Sequence, residues 1–424
     1  MNLLPKASSL QSRLLFLCYI LFFTGLIFSF RAVSSFSTGL LILAGIFYNK
    51  QENGIYLNKN IKNLFLFACL AYFLFQFVAF LFSDFNIAEG RRQVILKTGM
   101  VLVPLAVCCT GSVNAAFMKR LMTAYSLILV TACLFCLAMA LSYYVQTGDA
   151  SHFFYHPLVS PLKQHAVYFS LLVFFALLFT LENTKPGEWL FPPALHFALL
   201  IFLSLFLVLL SSKLVLIFFA FYLLYYFVTF RRGGTYNRAV ITVIAVLLVT
   251  GGILLFVTNN PVSRRFKDIT KDNLAVLQQD SYKTSDYFNG LQFRLLQWKL
   301  VPEILNETNG WWQGVGADRA QELLAQKYIS KNMYAGKPGT ERKGYLLYNT
   351  HNQLLESLLK NGIPGALLFL FICFALLRIA WQKKSRVLRF VIVLLLLYSF
   401  NEAVLETQYG VLIFTFFPLF FSQD

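Results

Sequence analysis

An all-α, polytopic membrane protein is the fold class that this sequence predicts, and three observations carry it. Only 13% of its 424 residues are charged, about half the share usual in soluble domains, and 58% are hydrophobic. Apolar runs of 17 or more residues recur along the chain, each long enough to cross roughly 30 Å of hydrocarbon. Strand-like alternation of apolar and polar residues is absent, so helices rather than a barrel must satisfy the backbone in lipid.

Taken in order, the apolar runs give about twelve spans: 14–30, 33–48, 63–82, 96–112, 119–145, 164–182, 190–211, 213–230, 238–258, 362–381, 387–404 and 407–421. The first run lacks a small-residue cleavage site followed by a soluble domain, and reads as a span rather than a signal peptide. The stretch 190–230 is divided only by Ser211-Ser212-Lys213. Basic residues sort the connections. Lys6 and Arg13, then Lys50, Lys59 and Lys62, then Lys119 and Arg120, then Arg231, Arg232 and Arg238, then Lys383, Lys384, Arg386 and Arg389 all fall on one side of alternating spans. The positive-inside rule makes that side cytoplasmic, with both termini inside. The net charge of +17 is therefore topogenic. Scattered between spans, it argues against nucleic acid as a partner and for membrane lipids.

The opposite side holds one long segment, about 259–350. The expected organisation is transmembrane helices 1–9 over 1–258, an outer loop subdomain with amphipathic helices over 259–361, and transmembrane helices 10–12 over 362–424. Within the loop, 271–279, 291–305 and 319–328 look helical, and "NETNGWWQGVGAD" and "AGKPGTERKG" are rich in turn residues. Residues 259–350 hold 13 Lys+Arg against 9 Asp+Glu. A basic excess on the outer side runs against topology preference and asks for a ligand. All seven cysteines fall inside apolar runs, where helix packing explains them, the Cys133/Cys136 pair included.

Ionisable groups at membrane level are expensive and usually mark a site. Those on or near the outer side are Arg91, Arg92, His165, Lys213, Arg264, Arg265, Arg294, His351, Glu402 and Glu406. Lys213 reads either as a lysine snorkelling from a tight hairpin or as a cation held at the rim of the bundle to face an anion. Arg294 shares its helix with Leu291, Leu295, Trp298 and Val301, which fall near one face and lay it against the membrane. It is either a solvated arginine paired with Trp298 or a planar fork for phosphate oxygens. His351 heads an amphipathic helix marked by Leu354, Leu355, Leu358 and Leu359 and ended by Asn361-Gly362 and Pro364. That helix would float on the outer leaflet, holding His351 at headgroup height as a structural histidine or a neutral base. No zinc, nucleotide-binding or serine-nucleophile motif is present, so metal-dependent transfer and nucleotide hydrolysis have no support in the sequence, and no cofactor is expected. Cations and one histidine converging at the outer leaflet suit a lipid with a diphosphate headgroup.

His351-Asn352, nine residues, then Gly362-Ile363-Pro364-Gly365 resembles the H-[NSQ]-x9-G-x-x-[GTY] signature of bacterial O-antigen ligases. Arg294 in "RLLQW" and the turn "GWWQGVGAD" resemble the arginine helix and Gly-Val-Gly turn of the wider ligase/polymerase superfamily. Ser211-Ser212-Lys213 falls where the family usually has Ser-Arg at the outer end of a span, with lysine in place of arginine. Arg264 and Arg265 match no family position. The resemblance implies a C-type glycosyltransferase-like fold and metal-independent, inverting transfer of a glycan. Its donor would be undecaprenyl diphosphate-linked glycan and its acceptor a lipid A–core hydroxyl, at the periplasmic face of the inner membrane. It implies His351 as catalytic base and Arg294 and Lys213 on the diphosphate. Asn352, His165, Arg264, Arg265, Arg91, Glu402 and Glu406 are candidates for support, and Glu402 and Glu406 read equally well as plain helix-end residues. An O-antigen polymerase and a protein O-oligosaccharyltransferase share these features. A lipid-linked glycan transporter is the rival of another class, although transporters tend to show repeats and midplane polar groups that are not evident here.

Overall fold

The computed structural model describes residues 10–53, 63–83, 85–183, 190–229, 274–286, 288–337 and 344–423. The expected span 238–258, together with Arg264 and Arg265, lies outside the described residues. Among those described, every regular element is helical. The helices are α1 (Leu10–Ile27), α2 (Arg31–Asn53), α3 (Leu64–Leu81), α4 (Ile87–Thr110), α5 (Ala115–Thr147), α6 (Tyr155–Val159), α7 (Ala166–Glu182), α8 (Pro193–Leu210), α9 (Lys213–Thr229), α10 (Gly290–Glu307), α11 (Ala320–Ser330), α12 (Gln353–Gln382), α13 (Arg386–Ser399) and α14 (Gln408–Phe421). Among the described residues, seven helices are long and apolar enough to cross a membrane: α1 to α5, α8 and α12. The number is eight if Tyr155–Leu162 and Ala166–Glu182, bent by 83°, form one span. The apolar helices α9 and α14 are shorter.

Side-chain caps set the helix starts. Asn63, Asn86, Asn114 and Ser385 accept backbone N–H groups in the first turns of α3, α4, α5 and α13. The Asn86 cap starts α4 at Ile87 rather than near 96, so Arg91 and Arg92 are helical. At the other extreme, α13 stops at Ser399 short of the expected 404, because the N–H groups of Asn401 and Glu402 both fold back on the Tyr398 carbonyl. In lipid the hydrophobic effect does little to hold helices together, and close packing takes its place. Gly25 meets the Ser34 backbone and Gly45 meets Thr110, letting α1, α2 and α4 approach closely.

The helices alternate between two ends of the bundle. At one end Gln164 donates to the Leu26 and Ile27 carbonyls, Tyr409 to that of Ser29, and Gln408 to the Ser35 hydroxyl. At the other end Glu182 accepts from Tyr222 and lies near Arg386, and Gln423 donates to the Val107 and Gly111 carbonyls. The first end carries the candidate site.

A second hydrophobic core sits at that end, formed by Phe293, Leu296, Leu300 and Ile304 of α10, Leu324 and Tyr328 of α11, and Leu359 of α12. The buried face of α10 is thus one step round from the face read in the sequence, and Leu291 is exposed. The leucine helix ahead of Gly362 lies between two cores: Leu354 packs on the bundle, and Leu355, Leu358 and Leu359 on the second core. It does not float on a leaflet.

Gly362 breaks α12, as its sequence neighbours suggest, with φ 62° and ψ −162°. The break frees backbone groups that a buried site must satisfy. The loop 311–316 takes them up: Val315 N–H donates to the Leu359 carbonyl at 2.9 Å, Gly316 N–H to that of Lys360 at 3.0 Å, and Ile363 N–H to that of Trp311 at 2.9 Å. A Cβ on Gly362 would overlap the Trp312 carbonyl. Gly362→Ala should therefore cost at least about 1–3 kcal/mol and lower the thermal midpoint in detergent. Gly39→Ala, on an exposed face of α2 with nothing within 4 Å of the added carbon, should leave it unchanged or higher. Equal midpoints for the two variants would contradict this account of the break.

Candidate active site

Three segments meet at the site: the start of α10, the turn before α12, and the connection between α13 and α14. Asn289 and Gln292 form a reciprocal capping box that fixes the first turn of α10. One turn on, Arg294 reaches the third segment. Its Nε donates to the Asn401 carbonyl at 3.0 Å, Nη2 to Glu402 Oε1 at 2.8 Å, and Nη1 back to the Gly290 carbonyl at 3.0 Å. The i+4 residue, Trp298, donates instead to the Thr350 carbonyl at 3.2 Å.

His351 stands two residues before α12, whose N-cap is the buried Asn352, accepting from Leu355 N–H at 3.1 Å. The Asn349 side chain accepts the His351 N–H at 3.0 Å, and the backbone there is left-handed, φ 46°. Such a conformation costs a non-glycine residue on the order of 1–3 kcal/mol and persists only where its surroundings impose it. The ring lies 5.7 Å from that of Tyr348 and 6.5 Å from that of Phe293, centre to centre. Its Nδ1 is 2.8 Å from Glu402 Oε2.

Glu402 thus serves both partners, one oxygen for each. Its side chain is 14% exposed, against 20% for His351 and 27% for Arg294, so the carboxylate lies inside and its partners face outward. Burial pushes the Glu402 carboxyl up. The hydrogen bond with His351 and the charges of His351, Arg294 and His165 more than offset that and hold it below its ordinary value. An ionised carboxylate at Nδ1 makes that nitrogen the donor and leaves the lone pair on Nε2. Among the described residues, Nε2 has no hydrogen-bond partner. The arrangement can take a proton at Nε2 while presenting a guanidinium beside it.

Glu406, one turn beyond Glu402, goes elsewhere. Its Oε1 is 2.7 Å from Lys97 Nζ and its Oε2 is 2.5 Å from Lys360 Nζ. Lys360 also pairs with Glu356 Oε1 at 2.9 Å, and Lys97 donates to the Leu405 carbonyl. These four side chains are buried. Burial pushes the Glu406 carboxyl up, and Lys360 and Lys97 bring it well below its ordinary value. Lys97, Glu356 and Lys360 escape sequence reasoning. Only the i, i+4 spacing of Glu356 and Lys360 and the isolation of Lys97 in an apolar run hint at them.

The remaining candidates are spread around the same end. His165 stands just before α7 without a capping bond from its side chain, its ring 4.2 Å from His156 and 5.6 Å from Tyr168, and its charge bears on Glu402. Lys213 begins α9, half-buried, nine residues ahead of Tyr222, which binds Glu182 at the far end. At 1.5 Å per residue that places Lys213 roughly 14 Å nearer the site end. Arg91 is exposed near the start of α4, and no described hydrogen bond joins it to the cluster.

Fold and site together define a multi-pass helical membrane protein with a histidine–carboxylate–arginine cluster at one end of its bundle. Residues 198–370, which include Lys213, Arg294 and His351, match the O-antigen ligase family, and that match supports membership of it. The family is one of glycosyltransferase-like membrane enzymes. Among curated proteins none matches the chain.

A carboxyl held below its ordinary value, 4.5 for Glu402, adds stability that is present above that value and lost as pH falls from it through the lower value of the folded protein. The thermal midpoint in detergent should therefore drop between pH 6 and pH 3 more steeply for the native protein than for Glu402→Gln. Parallel pH curves would show that the carboxylate charge does not hold the site together.

Proposed function

We propose that the chain is an O-antigen ligase, transferring a glycan from undecaprenyl diphosphate to a lipid A–core hydroxyl at the periplasmic face of the inner membrane. The observation that carries this reading is the double grip of Glu402 on His351 and Arg294, at the end of a membrane bundle whose matched segment is of the O-antigen ligase family. The outer end is the site end in this reading. The basic residues Lys50, Lys119 and Arg389, in terminal turns of helices, and Lys383 and Lys384, in a connection, lie at the opposite end, as a cytoplasmic face requires.

The chemistry needs a base and a stabiliser for the leaving group. The acceptor hydroxyl attacks the anomeric carbon, and its proton passes to His351 Nε2. General-base help of this kind is typically worth about 10²–10⁴-fold. Glu402 holds the ring by Nδ1–H and balances the imidazolium as it forms. The bond from the anomeric carbon to the diphosphate oxygen breaks, its electron pair leaving with the diphosphate. Attack from the face opposite the leaving group inverts the centre. Arg294 and Lys213 meet the charge that develops on the diphosphate, in surroundings where few waters compete. Two cations in these roles make the transfer metal-independent. The donor arrives sideways, its polyprenyl tail in the bilayer and its phosphates at the rim.

His351→Ala should abolish transfer by purified protein while the chain still inserts in the membrane. Normal turnover in that variant would remove His351 from catalysis. Lys213→Arg should retain activity and Lys213→Ala should lose it, and a tolerated alanine would end the diphosphate role. In cells, deleting the gene and running lipopolysaccharide on a gel separates the members of the superfamily. Loss of long chains with lipid-linked polymer accumulating is the expected result. Core bearing a single repeat would make the chain a polymerase. Unchanged lipopolysaccharide with altered glycoproteins would make it a protein glycosyltransferase.

A further inference from the structure

We infer that Glu356 and Thr350 are positioning residues for His351, anchored by the buried line of alternating charges Lys97, Glu406, Lys360 and Glu356. This rests on the reading of His351 as the base.

The line cannot itself meet substrate. Its side chains are between 0% and 6% exposed, and its two cations and two carboxylates neutralise one another. Nor is it a good way to add stability, because buried ion pairs seldom outperform apolar side chains of similar size. What such a line supplies is fixed geometry, and its two ends show what it fixes.

One end is Glu356. Its Oε1 is held by Lys360, and its Oε2 accepts both the Thr350 N–H at 3.2 Å and the Thr350 hydroxyl at 2.8 Å. Thr350 directly precedes His351, whose backbone is in the left-handed region that a histidine seldom occupies unaided. Gripping Thr350 at two points holds the turn that aims the imidazole. The other end is the stretch that carries Glu402. Glu406 is fixed by Lys97 and Lys360, the Leu405 carbonyl accepts from Lys97, and the Leu405 N–H donates to Gln353 Oε1 at 2.7 Å. Base and carboxylate are 51 positions apart in the chain, and their 2.8 Å contact is held from both sides by the same line.

The test uses the full-length protein in detergent and transfer from an undecaprenyl diphosphate-linked glycan. Thr350→Val removes the hydroxyl at nearly constant volume. Glu356→Gln combined with Lys360→Met removes one charge of each sign and leaves Lys97 paired with Glu406. Both should lower kcat by about tenfold to a hundredfold, the effect of a catalytic group misplaced by an ångström or less. KM for the donor should hold, because Arg294 and Lys213 are untouched, and Thr350→Ser should restore kcat. A lower thermal midpoint with native kcat in both variants would overturn the inference and leave the line a structural feature. His351→Ala measured alongside separates the two claims. An active His351→Ala sinks the base and the inference together. An inactive one beside fully active Thr350→Val and charge-balanced variants sinks the inference alone.

Discussion

A single buried carboxylate organises this end of the molecule. Glu402 accepts from His351 with one oxygen and from Arg294 with the other, and so joins three segments that are remote in sequence. A carboxylate withdrawn from water is costly unless its lone pairs are used. Here each oxygen has a partner, and the partners are the two groups that the proposed chemistry needs side by side. Remove the charge and the tautomer of the histidine is no longer specified, and the guanidinium keeps only the Asn401 and Gly290 carbonyls. The second core and the break at Gly362 serve the same end, since they set α10 and the start of α12 at the distance that Glu402 spans.

The two ends of the bundle differ in kind. At the far end, Glu182, Tyr222 and Arg386 tie α7, α9 and α13 together. At the site end, charges are sorted by depth. Lys97, Glu356, Lys360 and Glu406 are buried and balanced. His351 and Arg294 stand above them, partly exposed, each with one side committed to Glu402. Partners below the reacting groups and an open face above them suit a site that works on a substrate arriving along the membrane.

Much of this was legible in the sequence, for reasons that differ from residue to residue. The spans announce themselves because lipid tolerates so little polarity, and Gly362 announces a break because Gly, Pro and Gly follow one another at the edge of an apolar run. His351 and Arg294 stood out as polar groups where polarity is expensive, and Glu402 as an acid at the end of a span. What composition could not give was partnership. Glu406, spelled like Glu402 four residues earlier, belongs to another cluster because Lys97, 309 positions away, lies beneath it. Lys97 lies inside an apolar run, where nothing in the sequence shows that an acid from a distant segment meets it. The leucine face before Gly362 was seen, but not that a second core would cover it. A step of one position turns the face of α10 by about 100°, and periodicity alone does not set that phase.

The central claim is that the outward side of the Glu402 cluster is where a lipid-linked diphosphate reacts. A structure of the protein in lipid nanodiscs with an undecaprenyl diphosphate-linked sugar bound tests it most directly. The account predicts diphosphate oxygens on Arg294 and Lys213, with the anomeric carbon facing His351 Nε2. A diphosphate lodged at the Glu182–Arg386 end, or one at the site end out of reach of both cations, would contradict it.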